Sequence, residues 1–151
     1  MLDFSNSKIL IVGDVMLDKY YFGKVDRISP EAPVPIVNIQ KEESRLGGAS
    51  NVANNIVSLG GHSLLCGVIG HDLFGKEIER ISRHKNIDTF LLKTSSPTIT
   101  KARIIGGKQQ IVRVDYEDKS ELNADNKKLF RDTISRILPE YDILVISDYG
   151  K

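Results

Sequence analysis

Three short, almost unbroken apolar runs constrain this chain most: residues 9–12 (Ile-Leu-Ile-Val), 64–69 (Leu-Leu-Cys-Gly-Val-Ile) and 143–146 (Ile-Leu-Val-Ile). A strand that buries one face alternates apolar and polar side chains, whereas a run without alternation marks a strand covered on both faces. Sheets covered on both faces are parallel and are wrapped by helices, so helical segments must lie between the runs. Their signals are present. Residues 45–61 carry Val52, Ile56 and Leu59 at helical spacing. Phe74, Ile78 and Ile81 mark a second buried stripe. Residues 126–138 place Phe130, Ile134, Ile137 and Leu138 on a third, with Asn123 or Asp125 able to cap it and Pro139 ending it. Strands are expected at 8–13, 63–69 and 141–147, with a shorter one at 89–93. The pattern is that of an α/β fold, a doubly wound and mostly parallel sheet.

The segment 45–61 opens with Gly47-Gly48 and closes with Gly60-Gly61. It reads as a glycine turn, a helix of about three turns and a glycine stop. Glycines at the opening let another group approach the backbone closely, and the first N–H groups of a helix lack internal partners. Asn51, in the first turn, can both donate and accept. That combination suits a polyol better than a bare phosphate, although a glycine-capped surface helix has the same local sequence. Asp14 and Asp18 follow the first apolar run, at the strand end where open α/β sheets bind ligands. Their carboxylates could accept hydrogen bonds from hydroxyls, and Asp14 could equally cap a turn.

Other segments narrow the possibilities. Extended stretches at 20–23 and 34–39 flank residues 27–33, and prolines 30, 33 and 35 exclude a helix there and disfavour a central strand. Strands of this kind belong at a sheet edge or in a flap outside the main sheet. Residues 70–77 (Gly-His-Asp-Leu-Phe-Gly-Lys-Glu) nearly spell a P-loop. Glu77 stands where Ser or Thr would hold magnesium, and Asp72 and Glu77 would bring negative charge towards phosphate, so the segment reads as a strand-to-helix turn. Gly106-Gly107, between β-rich residues 98–105 and 108–116, predicts a hairpin with a type I′ turn. Arg103, Gln109, Gln110, Arg113 and Asp115 decorate it as a solvated face.

Charge excludes little but disfavours two partner classes. Lys+Arg 21 against Asp+Glu 20 leaves a net +1, which gives no general electrostatic case for nucleic acid or a membrane surface. The lone Cys66 forbids an intrachain disulfide, reads as a buried structural thiol and makes the cytoplasm the simplest compartment. His62, His71 and His84 have no metal-ligand spacing. The run at 9–12 is too short for a signal peptide or a membrane span.

Together, Gly47-Gly48-Ala49-Ser50-Asn51-Val52-Ala53 and the turn Gly70-His71-Asp72-Leu73-Phe74-Gly75 resemble the signatures of the PfkB/ribokinase family of carbohydrate kinases. Residues 13–18 (GDVMLD), 27–37 (RISPEAPVPIV), Gln109-Gln110 with Arg113-Val114-Asp115, and 147–151 (SDYGK) resemble its branch of D-glycero-β-D-manno-heptose 7-phosphate kinases. In many bacteria that kinase is the N-terminal part of a bifunctional enzyme of ADP-heptose synthesis, which feeds lipopolysaccharide core assembly. The resemblance implies a ribokinase-like sheet with a small β lid at about residues 19–40. It implies that Asp18, Gly47, Gly48 and Asn51 hold sugar hydroxyls, and that Arg113 and Lys151 serve the substrate phosphate or its neighbourhood; Asp14 is a further substrate-binding candidate from its place at the strand end. It implies ATP and Mg2+ as cofactors, and a homodimer through the lid strands. The family's second signature, a G-A-G-D turn, carries the general base, the anion hole for the γ-phosphate and most of the adenine site. It has no match in these residues. The expectation is therefore the N-terminal half of a kinase domain, with no catalytic residue of its own, inactive until completed by a C-terminal half. A PfkB kinase for another sugar or sugar phosphate, and a non-catalytic sugar-binding or dimerisation module, are the alternative readings.

Overall fold

In the computed structural model, which describes residues 4–118 and 120–151, three helices separate groups of one to three strands. From the amino terminus run β1 (Lys8–Gly13), β2 (Val15–Ile28), β3 (Pro35–Gly48), α1 (Ala49–Ser58), β4 (His62–Gly70) and α2 (Leu73–His84). They are followed by β5 (Asp88–Thr94), β6 (Thr100–Gly106), β7 (Gln109–Tyr116), α3 (Ala124–Ile137), a 3-10 turn at Leu138–Glu140 and β8 (Ile143–Ser147).

The apolar runs pair as their lack of alternation requires. β1, β4, β5 and β8 form a wholly parallel sheet in the order β5-β4-β1-β8. Its core joins Ile11, Leu65 and Ile69 of the sheet to Ala49 and Ala53 of α1 and to Ile78 and Ile81 of α2. The α2 stripe is as expected, with Phe74 packed on this core and its ring 5.6 Å from that of Tyr116. In α1 Val52 and Ile56 pack against this core as expected, but Leu59 does not. Leu59 lies past the last helical residue and is 66% exposed, while the small residues Ala49, Ser50 and Ala53 make the close contact with the sheet. Asn123 is the residue that caps α3, accepting from the Asn126 N–H at 2.8 Å. Phe130 stacks on Phe90 at 6.0 Å, but Thr133 is the one buried residue of α3 and Leu138 is exposed.

β8 carries the third unalternated run, and among the described residues it is only partly covered. It pairs with β1 on one side and forms the sheet edge, leaving Ile143 49%, Leu144 41% and Ile146 71% exposed. An apolar run needs covered faces to be buried, and the described residues cover β8 on neither side fully.

The flap is larger than the sequence suggested. β2 and β3 are antiparallel strands of 14 residues each, in place of short segments at 20–23 and 34–39. Pro30 and Pro33 fall in the connection, and Pro35 is the first residue of β3, where no ladder N–H is missed. The charged run 41–45, which lacks apolar alternation, is nevertheless strand, clasped by Lys19–Glu42 at 3.1 Å and Arg45–Glu43 at 2.6 Å. Consequently Gly47-Gly48 is the end of β3 and not a separate turn. β6 pairs parallel with β2 and antiparallel with β7, completing a second sheet in the order β3-β2-β6-β7. The β6–β7 hairpin forms as expected but with a different turn. Gly107 has φ +65 and Lys108 has no positive φ, so the two-residue loop follows type II′ chemistry and needs one glycine, not two.

Candidate functional site

The junction of β3 and α1 meets the start of β2. Register sets Gly48 opposite Val15, Gly47 opposite Met16 and Arg45 opposite Asp18. Here the groups that approach the glycines belong to the chain itself. A Cβ on Gly47 would stand 2.7 Å from Asp18 Oδ2, and one on Gly48 would stand 2.3 Å from the Asp14 carbonyl oxygen. Gly48 also adopts φ +55. No side chain caps α1. Its first N–H, that of Ala49, donates to the Asp14 carbonyl at 2.9 Å, and the Ser50 hydroxyl donates to the Gly47 carbonyl at 2.6 Å.

Asp18 and Asn51 therefore share one open cavity of about 630 Å3, together with Tyr20, Arg45 and Asn54. Asp18 is a strand residue of β2, not a loop residue following β1. Its Oδ1 accepts from an Arg103 guanidinium nitrogen at 2.6 Å, and both side chains are 22% exposed. The sequence alone places Arg103 on a solvated face. The parallel pairing of β2 with β6 sets it opposite Tyr20 and brings it to Asp18. No local sequence signal announces a contact that depends on two non-consecutive strands lying side by side.

The other candidates lie elsewhere. The Asp14 carboxylate accepts the Tyr149 N–H at 2.7 Å and the Lys151 N–H at 3.2 Å, so it holds the segment after β8. Asp14 and Lys151 line a second cavity of about 460 Å3 at the carboxyl ends of β1 and β4. The Lys151 ammonium pairs with Glu117 at 2.8 Å. Arg113, on β7, spends two guanidinium nitrogens on Asp115 at 2.8 and 3.0 Å, and it lines neither cavity. Of the seven candidates, Asp18, Gly47, Gly48 and Asn51 come together.

The turn before α2 is built differently. Asp72 caps the helix: Oδ1 accepts from the Gly75 N–H and the Thr98 hydroxyl, each at 2.8 Å, and Oδ2 accepts from the Thr98 N–H at 2.7 Å. The Thr98 hydroxyl in turn accepts from the Gly70 N–H at 2.9 Å. Burial alone would raise the Asp72 carboxyl pKa, but the hydrogen bonds from Thr98 and Gly75 outweigh it and hold the value below the ordinary one. Glu77 is bound by Arg80 at 2.8 Å. The near-P-loop thus has its acidic groups committed internally. Among the described residues no group of three His, Cys, Asp or Glu side chains could hold a metal ion. Burial pushes the Cys66 thiol up to about 12, which removes its nucleophilicity near neutral pH. Among the described residues no helix is long and apolar enough to cross a membrane.

A wrapped parallel sheet, with a second sheet rising from the start of a glycine-preceded helix, defines the ribokinase-like class of carbohydrate kinase folds. The chain is similar to a carbohydrate kinase from Agrobacterium tumefaciens, with a TM-score of 0.70 and 19% identity over 93% of this chain and 45% of that one. It is similar to a ribokinase from Giardia lamblia, with a TM-score of 0.66 and 20% identity over 93% and 44%. The pattern of the pfkB family carbohydrate kinases matches residues 6–149, and the chain belongs to that family. It is 47% identical over 148 residues to the D-beta-D-heptose 7-phosphate kinase of Bordetella bronchiseptica, covering 97% of this chain and 47% of that protein. It is also 47% identical over 144 residues to the bifunctional protein HldE of a Nitratiruptor species, covering 95% and 31%. The chain thus spans just under half of the first relative and about a third of the second.

Proposed function

We propose that this chain is the sugar-binding, N-terminal half of a kinase domain that phosphorylates D-glycero-β-D-manno-heptose 7-phosphate at C1 using ATP, on the way to ADP-heptose and the lipopolysaccharide core. The observation that carries the reading is the meeting of Asp18 and Asn51 in one cavity beside Gly47 and Gly48. Likeness to a protein named as a heptose 7-phosphate kinase supports the choice of sugar.

In the reaction the C1 hydroxyl oxygen bonds to the γ-phosphorus of ATP, the bond to the β,γ-bridging oxygen breaks, and the hydroxyl proton goes to a base. Asp18 accepts hydrogen bonds from sugar hydroxyls, and the Asn51 amide donates and accepts. Together they fix the ring so that one hydroxyl faces the incoming phosphoryl group, the positioning on which phosphoryl transfer depends. The base, the donors for the γ-phosphate and the groups that hold Mg2+ and ATP belong to the remainder of the kinase domain. The β2–β3 hairpin acts as a lid that excludes water and so limits wasteful hydrolysis. The same strands pair two subunits in a homodimer, and the enzyme works in the cytoplasm. Arg113 and Lys151 are assigned to the substrate phosphate or its neighbourhood on the motif alone; in the structure they pair with Asp115 and Glu117, outside the Asp18–Asn51 cavity.

The test is turnover by the full-length protein with MgATP and a panel of sugars and sugar phosphates. Heptose 7-phosphate is expected to give a kcat/KM at least about 10-fold above the next substrate, since a site built to bond hydroxyls rejects analogues that leave its groups unpaired. Equal or faster turnover of another sugar overturns the assignment. The isolated 151-residue chain is expected to show no heptose-dependent ATP turnover.

A further inference from the structure

We infer that Arg103 is a positioning residue for sugar binding, aiming the Asp18 carboxylate; the inference rests on the proposed role of Asp18. A carboxylate on a strand can rotate and exchange its two oxygens, whereas a hydroxyl needs one oxygen in a fixed place. Two features remove that freedom. The Arg103 guanidinium takes Oδ1 at 2.6 Å. The missing Cβ of Gly47 leaves room for Oδ2, which sits where a side chain at that position would collide at 2.7 Å. One group pulls the carboxylate and the other makes space for it.

Arg103 is itself held. The same guanidinium nitrogen donates to the Lys101 carbonyl at 3.2 Å, and the guanidinium lies 5.2 Å from the centre of the Tyr20 ring. Tyr20 is fixed from its own side, with the Arg45 guanidinium 4.6 Å from its centre and the Phe22 ring stacked at 6.0 Å. Because both partners are 22% exposed, salt screens this pair less than it screens the fully exposed pairs of the surface. A planar guanidinium can stack on a ring and bond a carboxylate and a carbonyl together; an ammonium is a point charge and cannot reproduce the arrangement.

The experiment is steady-state kinetics of the full-length protein with heptose 7-phosphate and MgATP, for Arg103→Gln, Arg103→Lys, Asp18→Asn and the doubles. Arg103→Gln is expected to raise the sugar phosphate KM by about 10-fold, with the KM for ATP changed less than about twofold. Arg103→Lys is expected to recover only part of the loss. In the Asp18→Asn background the Arg103→Gln step is expected to cost less than about twofold, because the group it acts through is already altered. An Arg103→Gln effect of equal size in both backgrounds overturns the inference, because it means that Arg103 acts on the ligand directly or on the fold. So does an unchanged KM in Arg103→Gln where Asp18→Asn raises it. If Asp18→Asn changes nothing, the hydroxyl-binding reading of Asp18 fails, and this inference with it. Should Arg103→Gln not fold, Arg103→Lys in both backgrounds carries the same comparison.

Discussion

Two strand-to-helix junctions in this chain use the same vocabulary, glycines and an aspartate ahead of a helix, to opposite ends. At the start of α2, Asp72 turns inward and spends both carboxylate oxygens on Gly75 and Thr98. At the start of α1 no side chain caps the helix, the backbone of Asp14 does the capping, and Asp18 and Asn51 are left lining a cavity. An aspartate near a helix start is thus a clasp where its lone pairs are filled by the chain and a candidate ligand group where one oxygen remains open. The first junction should matter for stability alone, the second for stability through its glycines and for binding through its polar side chains.

The largest effect is expected at Gly48. Its φ of +55 and the 2.3 Å approach of the Asp14 carbonyl oxygen leave a methyl group nowhere to go. Gly48→Ala should destabilise the fold by about 3–5 kcal/mol, combining an unfavourable backbone region with a backbone collision. A denaturant melt showing less than about 1 kcal/mol would mean that the junction relaxes freely.

Next comes the clasp. Asp72→Ala removes a helix cap and two bonds from Thr98, and should cost about 2–4 kcal/mol. The pH dependence follows from the direction of the shift. A carboxyl held lower in the folded state than in the unfolded one stabilises fully above the unfolded value and loses that contribution as pH falls through the folded value. Wild type should therefore lose stability below about pH 4 more steeply than Asp72→Ala. Parallel melting curves across acid titration would contradict the clasp.

Asn51→Ala, in the full-length protein, should leave folding nearly intact and weaken heptose 7-phosphate binding about 5- to 150-fold, the equivalent of about 1–3 kcal/mol for a lost buried hydrogen bond. Calorimetry checks it, and an unchanged affinity removes Asn51 from the site. The smallest effect belongs to Gly60, which ends α1 with φ +88 but has open space around it. Gly60→Ala should cost only about 1–2 kcal/mol, the backbone penalty without a collision. The difference between Gly48→Ala and Gly60→Ala isolates the close approach that the first glycine pair exists to permit.

Much of this architecture is legible in the residues, and the gaps have physical reasons. Unalternated runs locate β1 and β4, helical spacing gives the buried face of α2, and residues 70–77 form the expected strand-to-helix turn, capped by Asp72. The turn at 107 is a hairpin, but counting glycines overstates its demand, because type II′ chemistry needs a positive φ at one position only. The length of β2 and β3 is illegible locally, since the run 41–45 lacks apolar alternation and is strand through its pairing with β2, with a cross-strand Lys19–Glu42 ion pair and an Arg45–Glu43 pair within β3. Leu59 and β8 are exposed for a shared reason: an apolar side chain is buried only if a neighbour covers it, and spacing says nothing about the neighbour. The Arg103–Asp18 pair joins residues 85 positions apart, through strands that are not consecutive. Of the candidate site, the cluster of Asp18, Asn51 and the glycines could be read from the motif, while the spending of Asp14, Arg113 and Lys151 on other partners could be seen only in the fold.

The most direct measurement is a side-by-side calorimetric titration of heptose 7-phosphate into full-length Asp18→Asn and Asp72→Asn proteins, each with its melting curve. The account predicts that Asp18→Asn loses about 5- to 150-fold in affinity while melting near wild type, and that Asp72→Asn melts lower while binding normally. Equal affinities for the two variants, or a binding loss confined to Asp72→Asn, would contradict it.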